Sequence, residues 1–201
     1  MTSAFTITEA GQQIGDHGAD RGRVGMFALI AAESTIFTIF VVAYLFYLGK
    51  GVYGPQPRDV LKPPILYTVC LLSSSVTLEI ALRSVRRRRM ANFALALLVT
   101  IVLGGAFLYG TAAEWRRLIY VDGLTINTNL FGTTYFSLVG LHASHVIIGL
   151  LMLFAVMTFT LFGLIRPEHA QRLDILSLYW HFVDAVWIVV FTVVYVIGRL
   201  P

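Results

Sequence analysis

Six titratable side chains fall inside long apolar stretches of this 201-residue chain: Glu33, Glu79, His142, His145, His181 and Asp184. A charge in such a setting is costly, so each of these groups must be paired, neutralised or turned toward protein or water, and each is a first candidate for chemistry. His142 and His145 stand three residues apart in LVGLHASHVIIGL and share one face of a helix. Two imidazoles in this pattern can contribute to a metal site if carboxylates or thiolates join from other helices, and either could formally oppose His181 across a b-type haem. No partner that completes a ligand set is evident in the sequence. The lone cysteine, Cys70, lies in an apolar stretch without a C-x-x-C pattern, so it points to a small packing residue rather than to a disulfide or covalent haem attachment.

His181 precedes Asp184 by three residues, and Trp180 and Trp187 flank them, so successive helical turns carry Trp, His or Asp, and Trp on a face expected to point inward. Glu33 and Asp184 each lie nine residues into an apolar run, which at 1.5 Å per residue is about 14 Å above the inner end. Two readings of Glu33, His181 and Asp184 stand side by side. One is a hydrogen-bonded network that fixes helix packing, and the other is a proton-handling or lipid-headgroup role. Glu79 precedes Arg83 by four residues in the favourable acid-before-base order and reads as an interfacial ion pair.

The elements that must position these groups follow from composition. The chain is 57% hydrophobic and 13% charged, and its apolar residues collect into five runs, 24–48, 64–82, 92–113, 131–163 and 175–197. Each is long enough to cross roughly 30 Å of hydrocarbon, and none shows the alternation of a barrel strand, so an all-α, polytopic five-helix membrane bundle is expected. Residues 1–22 are polar and read as a short cytoplasmic arm without the apolar core of a secretory signal. The fourth run, 33 residues, would reach about 50 Å as one helix and must tilt or protrude. The segment 114–130 mixes apolar and charged residues and is expected to lie along the outer surface.

Orientation follows from the basic residues. With the N-terminus inside, the inner loops hold nine Lys and Arg against six outside, and the run Arg86, Arg87, Arg88 and Arg89 between two spans carries most of that bias. It reads as a stop signal facing anionic headgroups, not as a nucleic-acid patch. Tyr44, Tyr47, Tyr67, Tyr109, Trp115, Tyr135 and Tyr195 all fall near the ends placed outside, where interfacial aromatics gather.

Four blocks in order, RVGMFALIAAESTIF with Glu33, LLSSSVT, FGTTYFSLVGLHASHVIIGL with His142 and His145, and YWHFVDAVWIVVFTVVYVIG with His181 and Asp184, resemble subunit III of haem-copper oxidases. The resemblance spans all five runs, and the pairing of G-x-H-x-x-H-V-x-x-G with W-H-F-V-D-x-V-W is specific. It implies the shorter bacterial five-helix form, in a bacterial inner membrane with the N-terminus cytoplasmic and the C-terminus outside. It further implies no catalytic residue, cofactor or metal in this chain, with haem and copper held in partner subunits. The implied partners are oxidase subunit I directly, subunit II and a small subunit IV, with bound phospholipid. The implied task is to stabilise subunit I and support proton uptake in a complex that reduces dioxygen to water and pumps protons, with cytochrome c favoured over quinol as donor. Glu33, His142, His145, Trp180, His181, Asp184 and Trp187 then form an intramembrane polar network, structural, lipid-related or proton-related.

Two departures limit the carry-over. Lys62 stands where many relatives place a carboxylate, and the His pair that often follows the Ser-rich block is replaced by Leu78-Glu79-Ile80-Ala81. Two other functions compete: an accessory membrane subunit of nitric oxide reductase, which shares the fold, and a free-standing proton or metal transporter. The second sits poorly with a chain that has neither an internal repeat nor a mid-span proline.

Overall fold

The structure is a computed structural model that describes the backbone of residues 2–50, 54–165 and 170–199, and side chains within that set from Arg21 onward. Arg166, counted above among the inner basic residues, lies outside it. Helix α1 spans Thr2–Tyr47, a single turn α2 spans Pro57–Val60, and four long helices follow: α3 (Ile65–Arg86), α4 (Met90–Tyr120), α5 (Leu130–Leu161) and α6 (Ala170–Phe191). Helix α6 runs on through a π turn, Thr192–Val196, and a 3-10 turn, Ile197–Arg199. Five helical stretches are long and apolar enough to cross a membrane, and no strand occurs among the described residues.

Helix ends obey local chemistry. Asn129 caps α5, its Oδ1 accepting from the Gly132 amide at 2.7 Å, and its own amide donates to the Pro55 carbonyl at 3.1 Å, tying down the outer loop. Gly163 ends α5 at φ 69°, a left-handed position that leaves its amide bonded to the Thr160 carbonyl and that of Leu164 to Phe159. Between α3 and α4 the arginine run makes the turn itself, with Arg88 at φ 58° and Arg86 paired to Asp174 of α6 at 2.7 Å.

The helices close a round in the order α1, α6, α3, α4, α5, with α5 and α6 also touching across it. Large rings sit against small residues: a Cβ on Gly149 would meet Trp180 at 2.8 Å, and one on Gly110 would meet the Tyr67 ring at 2.2 Å. Without a hydrophobic drive between helices in lipid, such close approach is what holds the bundle.

Helix α4 does not stop where the apolar run ends. The segment 114–120, read from the sequence as the start of a surface loop, continues the helix as far as Tyr120. Glu114, Arg116, Arg117 and Leu118 are good helix formers, and Arg117 fastens the segment by donating to Asp122 at 3.2 Å and to the Val60 carbonyl.

Candidate functional site

The seven intramembrane residues singled out above do not form one network. Glu33 lies midway along its span on α1, and its Oε2 is 3.0 Å from His145 Nε2 on α5. His145 Nδ1 lies 2.8 Å from the Leu141 carbonyl, which can only accept, so Nδ1 carries a hydrogen. Either the carboxyl proton is donated to Nε2 or an imidazolium donates to a carboxylate; in both cases the pair is neutral as a unit. Phe37, one turn beyond Glu33, covers the imidazole at 5.0 Å between centroids, and Tyr179 Oη donates to the His145 carbonyl at 3.2 Å.

The second cluster joins α6 to α3. Trp180 Nε1 donates to Ser74 Oγ at 2.9 Å and Trp187 Nε1 to Thr68 Oγ1 at 3.2 Å. Between them Ser75 Oγ is 2.5 Å from Asp184 Oδ2 and 2.9 Å from His181 Nδ1. Glu33 therefore bonds to His145, not to His181 and Asp184. The helical face was also misjudged at one position: Trp180, Val183, Asp184 and Trp187 point inward, whereas His181 is exposed at the edge of the α3–α6 seam. Spacing of one residue from Trp180 rotates it about a quarter turn off the buried face, and spacing of three from Asp184 keeps it within reach of Ser75.

His142 is fully buried, stacks on Trp187 at 4.9 Å and 29°, and meets the edge of Phe107 at 5.7 Å. Neither of its ring nitrogens has a hydrogen-bond partner among the described residues. The two histidines thus share a side of α5 but divide between an aromatic stack and an ionisable pair. Among the described residues no three His, Cys, Asp or Glu side chains gather closely enough to hold a metal ion.

One cluster escaped the sequence reading. Glu114, on α4, accepts from Tyr195 Oη at 2.6 Å, and Tyr195 is 3.3 Å from Tyr135. Tyr44, Tyr135 and Tyr195 are all buried, so these three are interior groups rather than members of an interfacial belt; Tyr109, by contrast, is exposed. The π turn carries Val193, Val194 and Tyr195 inward in succession. The signal was present: a carboxylate flanked by Trp115 immediately after the apolar run 92–113, at the end of the bundle that also holds tyrosines from three other spans.

Five long apolar helices whose intramembrane acids bond across to neighbouring helices define a multi-pass membrane protein. The family model for cytochrome c oxidase subunit III matches residues 6–199, and the chain belongs to that family. It is 32% identical over 190 residues to the cytochrome bo(3) ubiquinol oxidase subunit 3 of Pseudomonas aeruginosa, covering 92% of this chain and 90% of the relative. It is 30% identical over 179 residues to the cytochrome c oxidase subunit 3 of Bacillus sp. strain PS3, covering 88% and 86%. It is 28% identical over 187 residues to a probable quinol oxidase subunit 3 of Staphylococcus saprophyticus, covering 92% of each.

Proposed function

We propose that the chain is the non-catalytic subunit III of a bacterial haem-copper terminal oxidase, which stabilises the catalytic subunit I, supports proton uptake and binds phospholipid. The complex takes electrons from cytochrome c, reduces dioxygen to water and pumps protons. Subunit I is the direct partner, with subunit II and a small subunit IV completing the assembly in the inner membrane, the N-terminus facing the cytoplasm.

The observation that carries this reading is the way the chain uses its intramembrane acids and histidines. Glu33–His145 joins α1 to α5, and Asp184–Ser75–His181 joins α6 to α3, so these groups are engaged in bonds that hold helices together. Lipid binding is supported by the seam between α1 and α6. There a groove of about 310 Å³, lined by Phe37, Val41, Phe182 and Val186 with Ser34 and Thr38 at its wall, has the largely apolar character of an acyl-chain site. A second hollow on the same two helices is lined by Arg23, Phe27, Asp174, Ile175 and Leu178; Asp174 is paired to Arg86, and the Arg23 guanidinium lies at the level where an anionic headgroup would sit.

The test is isolation of the chain from its native membrane in mild detergent, followed by identification of its companions and a reduced-minus-oxidised optical spectrum. A copurifying haem-bearing subunit with oxygen-reducing activity is the expected outcome, and the companion set names the donor. A chain that arrives alone, or with a haem of its own, overturns the reading.

A further inference from the structure

At one end of the bundle a carboxylate, an indole and three phenols gather from every span but α3, and only part of their hydrogen-bonding capacity is met. Glu114 Oε2 accepts from Tyr195 Oη at 2.6 Å, and Tyr195 Oη lies 3.3 Å from Tyr135 Oη, so one side of the cluster is closed by direct bonds. The other side is open. Glu114 Oε1, Trp115 Nε1 and Tyr44 Oη are buried atoms with no hydrogen-bond partner among the described residues. Each such atom carries the full cost of its lost hydration, so three in one cluster call for a partner from outside the chain.

The three atoms face a common place. Trp115 and Glu114 both act on the Tyr135 hydroxyl, and Tyr44 lies within its electrostatic reach. Tyr44 comes this close because Gly198 has no side chain: a Cβ there would lie 2.5 Å from Tyr44 Oη. The π turn Thr192–Val196 just before it carries Tyr195 to Glu114, and such widened turns recur where a helix serves a site.

Their chemistry is complementary as well. Trp115 Nε1–H can only donate, an oxygen of the Glu114 carboxylate accepts, and the Tyr44 hydroxyl does either. One molecule with two hydrogens and two lone pairs meets all three: it accepts from Trp115, donates to Glu114, and gives to or takes from Tyr44. A protonated Glu114 reverses the direction of one bond and leaves their number at three, the usual count for a buried water. A metal cation does not fit, because the indole hydrogen would face it, and an acyl chain brings no polar atom.

We propose that a single water molecule is resident at this junction, bonded to Glu114 Oε1, Trp115 Nε1 and Tyr44 Oη. Helix α1 packs along α5 and α6, and α4 along α3 and α5, so the water ties together two spans that flank α5 on either side.

The test is a density map of the assembled, unmodified complex at a resolution that shows ordered water. One rounded peak, about 2.6–3.2 Å from each of the three atoms, is expected. A map in which the three bond directly to one another, or in which nothing stands between them, overturns the assignment. So does a peak ringed by about six oxygens, which marks a cation. In solution, the falls in melting temperature caused by Tyr44→Phe and Trp115→Phe are compared with that of the double variant in the same complex. Two groups bonded to one water are coupled, so the double variant is expected to lose clearly less than the sum, whereas falls that add mean separate partners and sink the shared site. Both readouts concern the interior of this chain. A different set of companion subunits would overturn the functional reading and leave the water where it is.

Discussion

Glu33 and His145 hold one shared proton between α1 and α5, so removing either partner leaves the other unpaired in an apolar interior. Glu33→Ala is expected to lower the stability of the assembled protein by about 1–3 kcal/mol, read as a fall in its melting temperature, with haem content unchanged because the ligands lie in other chains. Loss of a haem signal would show that this residue acts on the cofactor and not on the packing. His142 makes the opposite case. Its ring nitrogens have no partner among the described residues and its ring packs on aromatic ones, so His142→Phe replaces one buried ring by another and should cost no more than about 1.5 kcal/mol, clearly less than His145→Phe, in the same melting experiment. Equal losses from the two substitutions would mean that His142 has a polar partner, such as a bound water. The sequence showed both histidines on one side of a helix but not their division of labour, because their partners come from α1 and α6, more than a hundred residues and some forty residues away respectively.

At the scale of elements, the bundle is held by rings pressed onto glycines, and the position of each glycine decides what a methyl group does. A Cβ on Gly110 would lie 2.2 Å from Tyr67 at the root of its ring, which cannot swing aside without leaving α4, whereas Gly105 on the same helix has open space around it. Gly110→Ala is therefore expected to destabilise the α3–α4 pair by about 1–3 kcal/mol, while Gly105→Ala leaves the melting temperature unchanged or slightly raised. Matching effects at the two positions would remove the packing argument. The five spans were legible from apolar runs alone, with boundaries within a few residues for α5, since hydrocarbon thickness imposes their length. The outward extension of α4 was not, because Glu114, Arg116 and Arg117 look like residues leaving the membrane. What keeps them helical is tertiary: Arg117 reaches the α2 turn, and Glu114 turns inward to Tyr195 from a π turn whose widening no hydrophobic pattern announces. The split of the polar residues between two seams was hidden for a related reason, since periodicity gives the face of each helix but not which helix it meets.

For the molecule as a whole, the two ends of the bundle differ in kind. One end carries the exposed Arg87, Arg88 and Arg89 of the α3–α4 turn, with Arg86 held by Asp174 and Arg23 close by. The other has Arg117 drawn into bonds with Asp122 and the Val60 carbonyl, and Asn129 bonded to the Pro55 carbonyl, so its most deeply placed cation serves the loops rather than the surface. This sharpens the count of basic residues: the arginines free to meet anionic headgroups concentrate at the α3–α4 end, which is the end the positive-inside rule assigns to the cytoplasm. With Cys70→Ser as background, a thiol at Arg87→Cys should react with a membrane-impermeant maleimide in inverted vesicles and not in right-side-out ones. A thiol at Asn127→Cys, in the exposed turn before α5, should show the reverse. Labelling of Asn127→Cys from the cytoplasmic side would invert every helix at once, place the Arg23 hollow in the opposite leaflet from the one argued above, and require the orientation to be governed by something other than the arginine turn.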